Sequence, residues 1–259
     1  MPPDRLAAGG AGKSVSVPVL NLTTGPSPDS SPATQLLRGE PFTVYREAPN
    51  GMSFGQSNRD GYVGFVLSSG LGERIVPQYR IMALRSHVYS EADIKSRTLS
   101  EVHFLGEMGV GTPEGNFIAL KSGGYVPLQH VAPLNGDFVD HALRFLGVPY
   151  LWGGKTASGL DCSALVQLSL MAAGINAPRD SDMQAAYFSG DDIPANEARR
   201  GDLVFWKGHV GIISGPDRLL HANAHHMAVV EEPFSVAAAR IAEGEYGAIT
   251  RMARLSSFK

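Results

Sequence analysis

Short runs in which hydrophobic and polar positions alternate fill the first half of the chain. Three valines between residues 15 and 19 alternate as in a strand, and further β-type runs follow at residues 41–45 and 61–67. Residues 25–34 contain three prolines and are predicted to form a loop. This pattern predicts small β-barrels in the first half.

A loose internal repeat divides this first half into two. Phe54 is followed by the run Gly61-Tyr62-Val63-Gly64, and 63 residues further on Phe117 is followed by Gly124-Tyr125-Val126-Pro127. Two consecutive all-β units of about 55 to 65 residues explain this spacing better than one unit does. A chance pair of similar hairpins is the alternative.

The second half has a different pattern. Apolar residues recur at helical spacing over residues 138–146, which end at Gly147, and a second apolar helix follows Asp161 and closes at Gly174. Strand-like runs come next, at residues 203–206, 210–213 and 221–230. Helices that precede an antiparallel sheet predict an α+β domain.

Composition and charge exclude several classes of protein. The 259 residues are 43% hydrophobic and 18% charged, which is ordinary for a globular chain of one to three domains. A net charge of -3 and a pI near 6.2 provide no basic field for nucleic acid. No signal peptide and no run of about 18 uncharged apolar residues is visible, so we expect no membrane partner. The single cysteine suits a reducing compartment, and we expect a cytoplasmic location.

Cys162 is the first candidate for chemistry, because it opens the helix that follows Asp161. Unpaired backbone N–H groups and the positive end of the helix dipole stabilise a thiolate, which is the nucleophilic form, and they could also hold an oxyanion. A lone cysteine is more often an inert core residue, and its spacing alone favours that interpretation.

Two histidines are candidates for the base and its orienting partner. In a hairpin centred on Gly215, His209 and His221 would face each other with Cβ atoms about 5 Å apart. One ring would then act as the base while the other orients it. A buried, hydrogen-bonded strand histidine is the alternative, and a β-bulge would change the register.

His225 and His226, together with His221, could also suggest a metal site. The segment is predicted as strand, however, with no acidic or thiol partner in register. We therefore predict no metal and no cofactor, and the sequence gives no prediction of oligomeric state.

Four runs in the second half, together with the later His221, form one larger pattern. The runs are Tyr150-Leu151-Trp152-Gly153-Gly154, Asp161-Cys162-Ser163-Ala164-Leu165-Val166, Gly201-Asp202-Leu203-Val204-Phe205-Trp206 and His209-Val210-Gly211. In order and spacing they resemble the NlpC family of papain-like cell-wall peptidases. The resemblance covers about residues 135–259 and implies that Cys162, His209 and His221 form the catalytic triad. Ala164 stands where the family usually has Gly, and because Ala is small we expect no loss of activity.

A domain plan follows from the resemblance. The papain-like catalytic domain spans residues 134–259. Residues 14–78 and 79–133 look like two bacterial SH3-like domains, which follow a flexible N-terminus at residues 1–13.

The resemblance also implies a substrate. Such proteins are γ-D-glutamyl-L-diamino acid endopeptidases, which act on peptidoglycan stem peptides with a free N-terminal L-Ala. It implies that Asp161, Ser163 and Tyr62 bind the substrate amine, because an ammonium in a closed pocket needs an anion and acceptors. Asp161 could equally be a helix N-cap. Three further candidates for substrate binding are Trp152, Asp180 and Ser181.

The predicted function is therefore cleavage of freed peptidoglycan peptides during cell-wall recycling. The diamino acid, meso-diaminopimelate or Lys, is left open. One alternative is a thiol-dependent amidase or acyltransferase, since another nucleophile can resolve the same thioester. The other alternative is a non-catalytic scaffold that binds wall peptides.

Overall fold

The computed structural model describes residues 9–188, 192–244 and 246–255. The chain divides into two compact units, Met1–Pro133 and Leu134–Lys259. Residue 134, where the catalytic domain is predicted to begin, is the first residue of the second unit.

The first unit is built from β-strands, and its first seven form one antiparallel sheet. These strands are β1 Ala11–Val15, β2 Val19–Thr23, β3 Pro32–Leu37, β4 Pro41–Glu47, β5 Met52–Ser57, β6 Val63–Leu67 and β7 Leu71–Glu73. Their order in the sheet is β3-β2-β6-β5-β4-β1-β7. One core cluster, which includes Leu22, Leu36 and Phe42, fills this part of the unit.

Eight further strands lie in the described part of the first unit, residues 9–133. They are β8 Tyr79–Ile81, β9 Arg85–Tyr89, β10 Thr98–His103, β11 Glu107–Met108, β12 Val110–Glu114, β13 Phe117–Leu120, β14 Tyr125–Pro127 and β15 Val131–Ala132. They form a sheet in the order β10-β9-β14-β13-β12 and a smaller one in the order β11-β8-β15. A separate core cluster, which includes Ile81, Val102 and Val126, fills them.

Several predicted boundaries in the first unit are wrong in detail. The alternating valines do not form one strand, because β1 ends at Val15 and β2 begins at Val19. Pro18 lies in this break and has no N–H for a ladder. β3 begins at Pro32, inside the predicted loop, and β1 begins at Ala11, inside the segment predicted as flexible. Residues 1–8 of that segment lie outside the described residues.

Within residues 134–188, 192–244 and 246–255, the second unit contains four α-helices and an antiparallel sheet. The elements are α1 Phe138–Leu143, β16 Lys155–Thr156, β17 Gly159–Leu160, α2 Cys162–Ala172, α3 Ser181–Tyr187, β18 Asp202–Trp206, β19 His209–Gly215, β20 Arg218–Asn223, β21 Ala228–Pro233, α4 Phe234–Glu243 and β22 Arg251–Arg254. The main sheet has the order β21-β20-β19-β18-β22. The predicted α+β class is confirmed.

Helix α2 lies at the centre of this unit, since ten of its eleven residues are buried and it contacts β19 and β20. Within the described part of the chain α2 is the longest helix, and none has the length and apolar character that a membrane crossing requires.

Two expectations for the second unit need correction. The run 221–230 is two strands, β20 and β21, joined by a turn in which Met227 has a φ of 51°. The first helix ends at Leu143 rather than residue 146, and Gly147 follows with a φ of 81°. Helices α3 and α4 and strand β22 were not predicted.

Candidate active site

Cys162 is the first residue of α2, as predicted. Asp161 is the N-cap, with extended backbone angles, and its carboxylate accepts a hydrogen bond from the Ala164 N–H at 2.9 Å. The Cys162 side chain is buried, with 7% of the residue exposed. Its sulfur accepts hydrogen bonds from the backbone N–H groups of Val210 and Ser163. The thiol therefore lies between the start of α2 and the start of β19.

A buried ion pair holds the N-cap in place. Arg179 donates from Nη1 to Asp161 Oδ1 at 2.9 Å and from Nη2 to Oδ2 at 2.7 Å. Both side chains are almost completely buried. Asp161 Oδ2 also accepts from the Gly153 N–H at 2.9 Å. The residues on either side of the nucleophile are thus fixed by one charged, bidentate contact.

The same contact involves Ser163, a predicted amine ligand. Its hydroxyl donates to Asp161 Oδ1 at 3.2 Å and accepts from Arg179 Nη1 at 2.8 Å. The acceptor positions of the Asp161 carboxylate are therefore occupied within the protein. The roles of Asp161 and Ser163 in amine binding stay predictions, and in this structure both side chains serve the helix start.

The two predicted histidines lie together. His209 Nε2 is 2.9 Å from His221 Nδ1, and both residues are buried. The predicted register is nevertheless wrong, because Ile212 pairs with Leu220 and a bulge follows Ile213. The same register extended along β19 places Gly211, not His209, opposite His221. The shift amounts to two residues, so both rings stay on the same face of the sheet and meet diagonally.

Gly211 makes this diagonal contact possible. A Cβ atom at that position would lie 2.7 Å from Leu219 Cδ1 and 3.3 Å from His221 Cβ. The missing side chain leaves the space through which the His209 ring reaches His221.

A carboxylate lies behind the second histidine. His221 Nε2 is 2.8 Å from Glu232 Oε1, and Glu232 also forms an ion pair with Arg240. The sequence analysis missed Glu232 because it treated residues 221–230 as one strand. With the turn recognised, the pairing of His221 with Val230 places Glu232 two residues further on the same face of the sheet.

Aromatic rings enclose His209. The Tyr246 ring stacks on it with centroids 5.4 Å apart, and Trp206 lies 5.5 Å away. A cavity of about 220 Å³ reaches this cluster. Its lining is formed by His209, His221, Asn223, Ala224, His225, Arg240, Ile241, Gly244 and Tyr246.

Burial sets the protonation states of the nucleophile and the base. It raises the pKa of the Cys162 thiol, and the charge of Asp161 raises it further. It lowers the pKa of His209, with a smaller contribution from His221. The resting state is therefore a thiol and a neutral imidazole, not the thiolate that the helix N-terminus predicts, because burial and the charge of Asp161 outweigh the hydrogen bonds from Val210 and Ser163 and the charge of Arg179.

Tyr150 is a second residue that the sequence analysis did not select, although it opens the first motif. Its phenol lies within the electrostatic reach of Cys162 and Asp161, and its pKa is raised, chiefly by burial. A phenol kept neutral in this way is a hydrogen-bond donor, the kind of group that stabilises an oxyanion.

The remaining residues that were predicted to bind substrate lie at different places in the fold. Trp152 is 69% exposed, Asp180 is the N-cap of α3, and Ser181 is the first residue of that helix. Tyr62 belongs to the first unit, where it is partly buried and packs against a core cluster. Their roles in substrate binding stay predictions.

His225 and His226 lie in the turn between β20 and β21, with ring centroids 4.7 Å apart. Throughout residues 9–188, 192–244 and 246–255, no three His, Cys, Asp or Glu side chains are grouped as a metal site requires.

A cysteine at the start of a buried helix, hydrogen-bonded to the backbone of a sheet strand that begins with a histidine, is the arrangement expected of a papain-like cysteine peptidase domain. Residues 147–240 match the model of the NlpC/P60 family. Residues 22–71 match the model described as the bacterial dipeptidyl-peptidase SH3 domain. The chain therefore carries an NlpC/P60 domain preceded by an SH3 domain of that kind.

Two curated relatives from Bacillus subtilis are similar to part of the chain. A γ-D-glutamyl-L-lysine dipeptidyl-peptidase is 35% identical over 105 residues, which cover 38% of this chain and 35% of the relative. A bifunctional muramidase/DL-endopeptidase, CwlT, is 39% identical over 110 residues, which cover 37% of this chain and 33% of the relative. The chain thus spans about a third of the length of these relatives.

A solved structure shows the same fold over nearly the whole chain. It is an NlpC/P60 family protein from Bacillus cereus, with a TM-score of 0.77 and 18% sequence identity. The match covers 94% of this chain and 99% of that one.

Proposed function

We propose that the chain is a cysteine endopeptidase that hydrolyses the γ-D-glutamyl to L-diamino acid bond of peptidoglycan stem peptides. The observation that carries the proposal is that Cys162, at a helix start, accepts a hydrogen bond from the backbone of Val210, and that the preceding residue, His209, is hydrogen-bonded to His221. The names of the curated relatives, a γ-D-glutamyl-L-lysine dipeptidyl-peptidase and a DL-endopeptidase, support this bond as the target.

The mechanism follows from the neutral resting pair. His209 accepts the proton of the Cys162 thiol as the sulfur attacks the carbonyl carbon, and His221 orients the His209 ring. The developing oxyanion lies near the backbone N–H of Ser163 and the Tyr150 hydroxyl. His209 then gives its proton to the leaving amine, and water, deprotonated by the same ring, hydrolyses the thioester.

The proposed substrate has a free N-terminal L-Ala. Asp161, Ser163 and Tyr62 are the amine ligands under this proposal, with Asp180, Ser181 and Trp152 along the peptide. Since Arg179 already pairs with the Asp161 carboxylate, the amine would share that carboxylate or displace the Ser163 hydroxyl from it. A free amine is a property of peptides already released from the glycan, so we also propose a role in recycling, in the cytoplasm.

The experiment offers the purified protein three peptides and identifies the products by mass spectrometry. L-Ala-γ-D-Glu-diaminopimelate and its Lys analogue should release L-Ala-γ-D-Glu and the free diamino acid, whereas the N-acetylated peptide should show a kcat/KM lower by about 10²-fold or more. The matched control is Cys162→Ala, which should abolish turnover without unfolding the protein.

Each other outcome assigns a different function. Equal kcat/KM on free and acetylated peptides would contradict the amine pocket and the recycling role. Transfer of the acyl group to an added amine would instead identify an acyltransferase. Full turnover by Cys162→Ala would show that Cys162 is not the nucleophile. Binding without turnover by the wild-type protein would favour the scaffold.

A further inference from the structure

Two side chains of opposite hydrogen-bonding character approach the same nitrogen of His221. Glu232 Oε1 lies 2.8 Å from His221 Nε2, and Asn223 Nδ2 lies 2.9 Å from it. The amide orientation of Asn223 is set by its oxygen, which accepts the backbone N–H of His226 at 2.8 Å. The nitrogen of Asn223 therefore faces the ring.

These neighbours require different tautomers of His221. The carboxylate is an acceptor and favours a proton on Nε2, whereas the amide nitrogen is a donor and favours a lone pair there. The hydrogen bond from His221, followed by that from Arg240, lowers the pKa of Glu232 to about 2, so this carboxylate is charged at neutral pH. A hydrogen bond to an ionised acceptor is roughly twice as strong as a neutral one. The competition favours Glu232.

We propose that Glu232 is a positioning residue that selects the tautomer of both catalytic histidines. With its proton on Nε2, His221 presents an unprotonated Nδ1, which accepts the Nε2 proton of His209 across 2.9 Å. The free lone pair of His209 then lies on Nδ1, the one ring nitrogen left to take the thiol proton. The transfer of the thiol proton to His209 rests on the proposed peptidase function, whereas the assignment of the tautomers does not depend on it.

Removal of the carboxylate reverses this arrangement. With Glu232 replaced by leucine, the amide of Asn223 is the remaining polar neighbour of Nε2, so the proton of His221 moves to Nδ1. His221 then donates to Nε2 of His209, and the proton of His209 moves to its own Nδ1. A base that is already protonated at that nitrogen cannot accept the proton of Cys162.

The test is ¹⁵N NMR of the histidine rings in the whole protein, because ring-nitrogen shifts distinguish the two tautomers without any turnover. The variants are Glu232→Leu and Glu232→Gln, whose amide oxygen can still accept the Nε2 proton. Glu231→Gln is the matched control: this neighbouring glutamate accepts from the Ser214 hydroxyl at 2.7 Å.

We expect a proton on Nε2 of both rings in the wild type, in Glu231→Gln and in Glu232→Gln, and a proton on Nδ1 of both rings in Glu232→Leu. The kcat/KM of Glu232→Leu on the stem peptide should fall by about 10²-fold or more, with partial recovery in Glu232→Gln.

A wild-type His209 that carries its proton on Nδ1 would overturn the proposal even if Glu232→Leu failed to fold. Unchanged tautomers in a folded Glu232→Leu would do the same. If the wild-type protein shows the expected tautomers but cleaves no peptide, the proposal about Glu232 and the tautomers holds and the peptidase function is refuted.

Discussion

Arg179 and Asp161, eighteen positions apart in the chain, form a buried bidentate ion pair directly beside Cys162. The pair connects the segment before α3 to the N-cap of α2. Since Asp161 caps the helix and Arg179 neutralises its charge, the position of the nucleophile depends on both. The guanidinium also lowers the pKa of Cys162, in opposition to the larger effects of burial and of Asp161.

Arg179→Met should destabilise the protein strongly. It leaves the Asp161 carboxylate buried without a counter-charge, and breaking a buried pair from one side costs about 3–5 kcal/mol. The measurement is the free energy of unfolding in urea. The control is Arg200→Met in the same unit, whose ion pairs with Asp137 and Asp140 are exposed and contribute at most about 1 kcal/mol. Equal losses in the two variants would show that the buried pair has no special role.

The two histidines should differ in their effect on catalysis. His209→Ala removes the group that carries the proton and should lower kcat/KM by about 10²- to 10⁴-fold. His221→Ala should cost less, and His221→Asn should retain part of the activity, since its side chain can still hydrogen-bond to His209. Steady-state kinetics on the stem tripeptide provide the comparison, with circular dichroism as the check on folding. The same complete loss in all three folded variants would contradict the division of roles.

The sequence predicted the parts of this site that depend on local rules. Cys162 at a helix start follows from Asp161 as an N-cap and from the apolar run behind it. The face shared by His209 and His221 follows from the two-residue period of a strand, because a register shift of two residues keeps each side chain on the same face of the sheet. Their exact register did not follow, since it depends on a bulge after Ile213.

Arg179 lay beyond such rules, because it reaches Asp161 through the packing of separate elements. Glu232 was missed for another reason: it lies in one hairpin with His221, and the turn of that hairpin was not recognised in the sequence. The pKa values of Cys162 and His209 were missed for a reason related to that for Arg179, since desolvation depends on how much of the rest of the unit covers them.

Gly211→Ala should impair both catalysis and folding stability. The new Cβ would press on Leu219 and on His221, and small-to-large changes in a packed core cost about 1–3 kcal/mol. Because the base depends on the position of His221, kcat/KM should fall by about 10-fold or more. Gly215→Ala is the control on the same strand, since its Cβ would meet Arg218 at an ordinary 3.9 Å. Full activity in Gly211→Ala, with the change in stability confirmed by thermal melting, would show that the diagonal contact tolerates displacement.

Alkylation of Cys162 should reveal the neutral resting pair. Because burial raises the pKa of the thiol and lowers that of His209, the thiolate fraction at neutral pH is small and grows with rising pH. The rate of reaction with iodoacetamide should therefore increase about tenfold per pH unit between pH 6 and 9, the behaviour of a thiol below its pKa. As an internal control, the alkylation rate of the same cysteine in urea should level off above its ordinary pKa of about 8.5.

A thiolate and imidazolium pair would instead give a rate that is already high and nearly constant from about pH 5 to 8, as for a cysteine whose pKa is strongly lowered. Such a plateau in the folded protein would mean that His209 is charged at rest, and that it acts first as an acid rather than as a base.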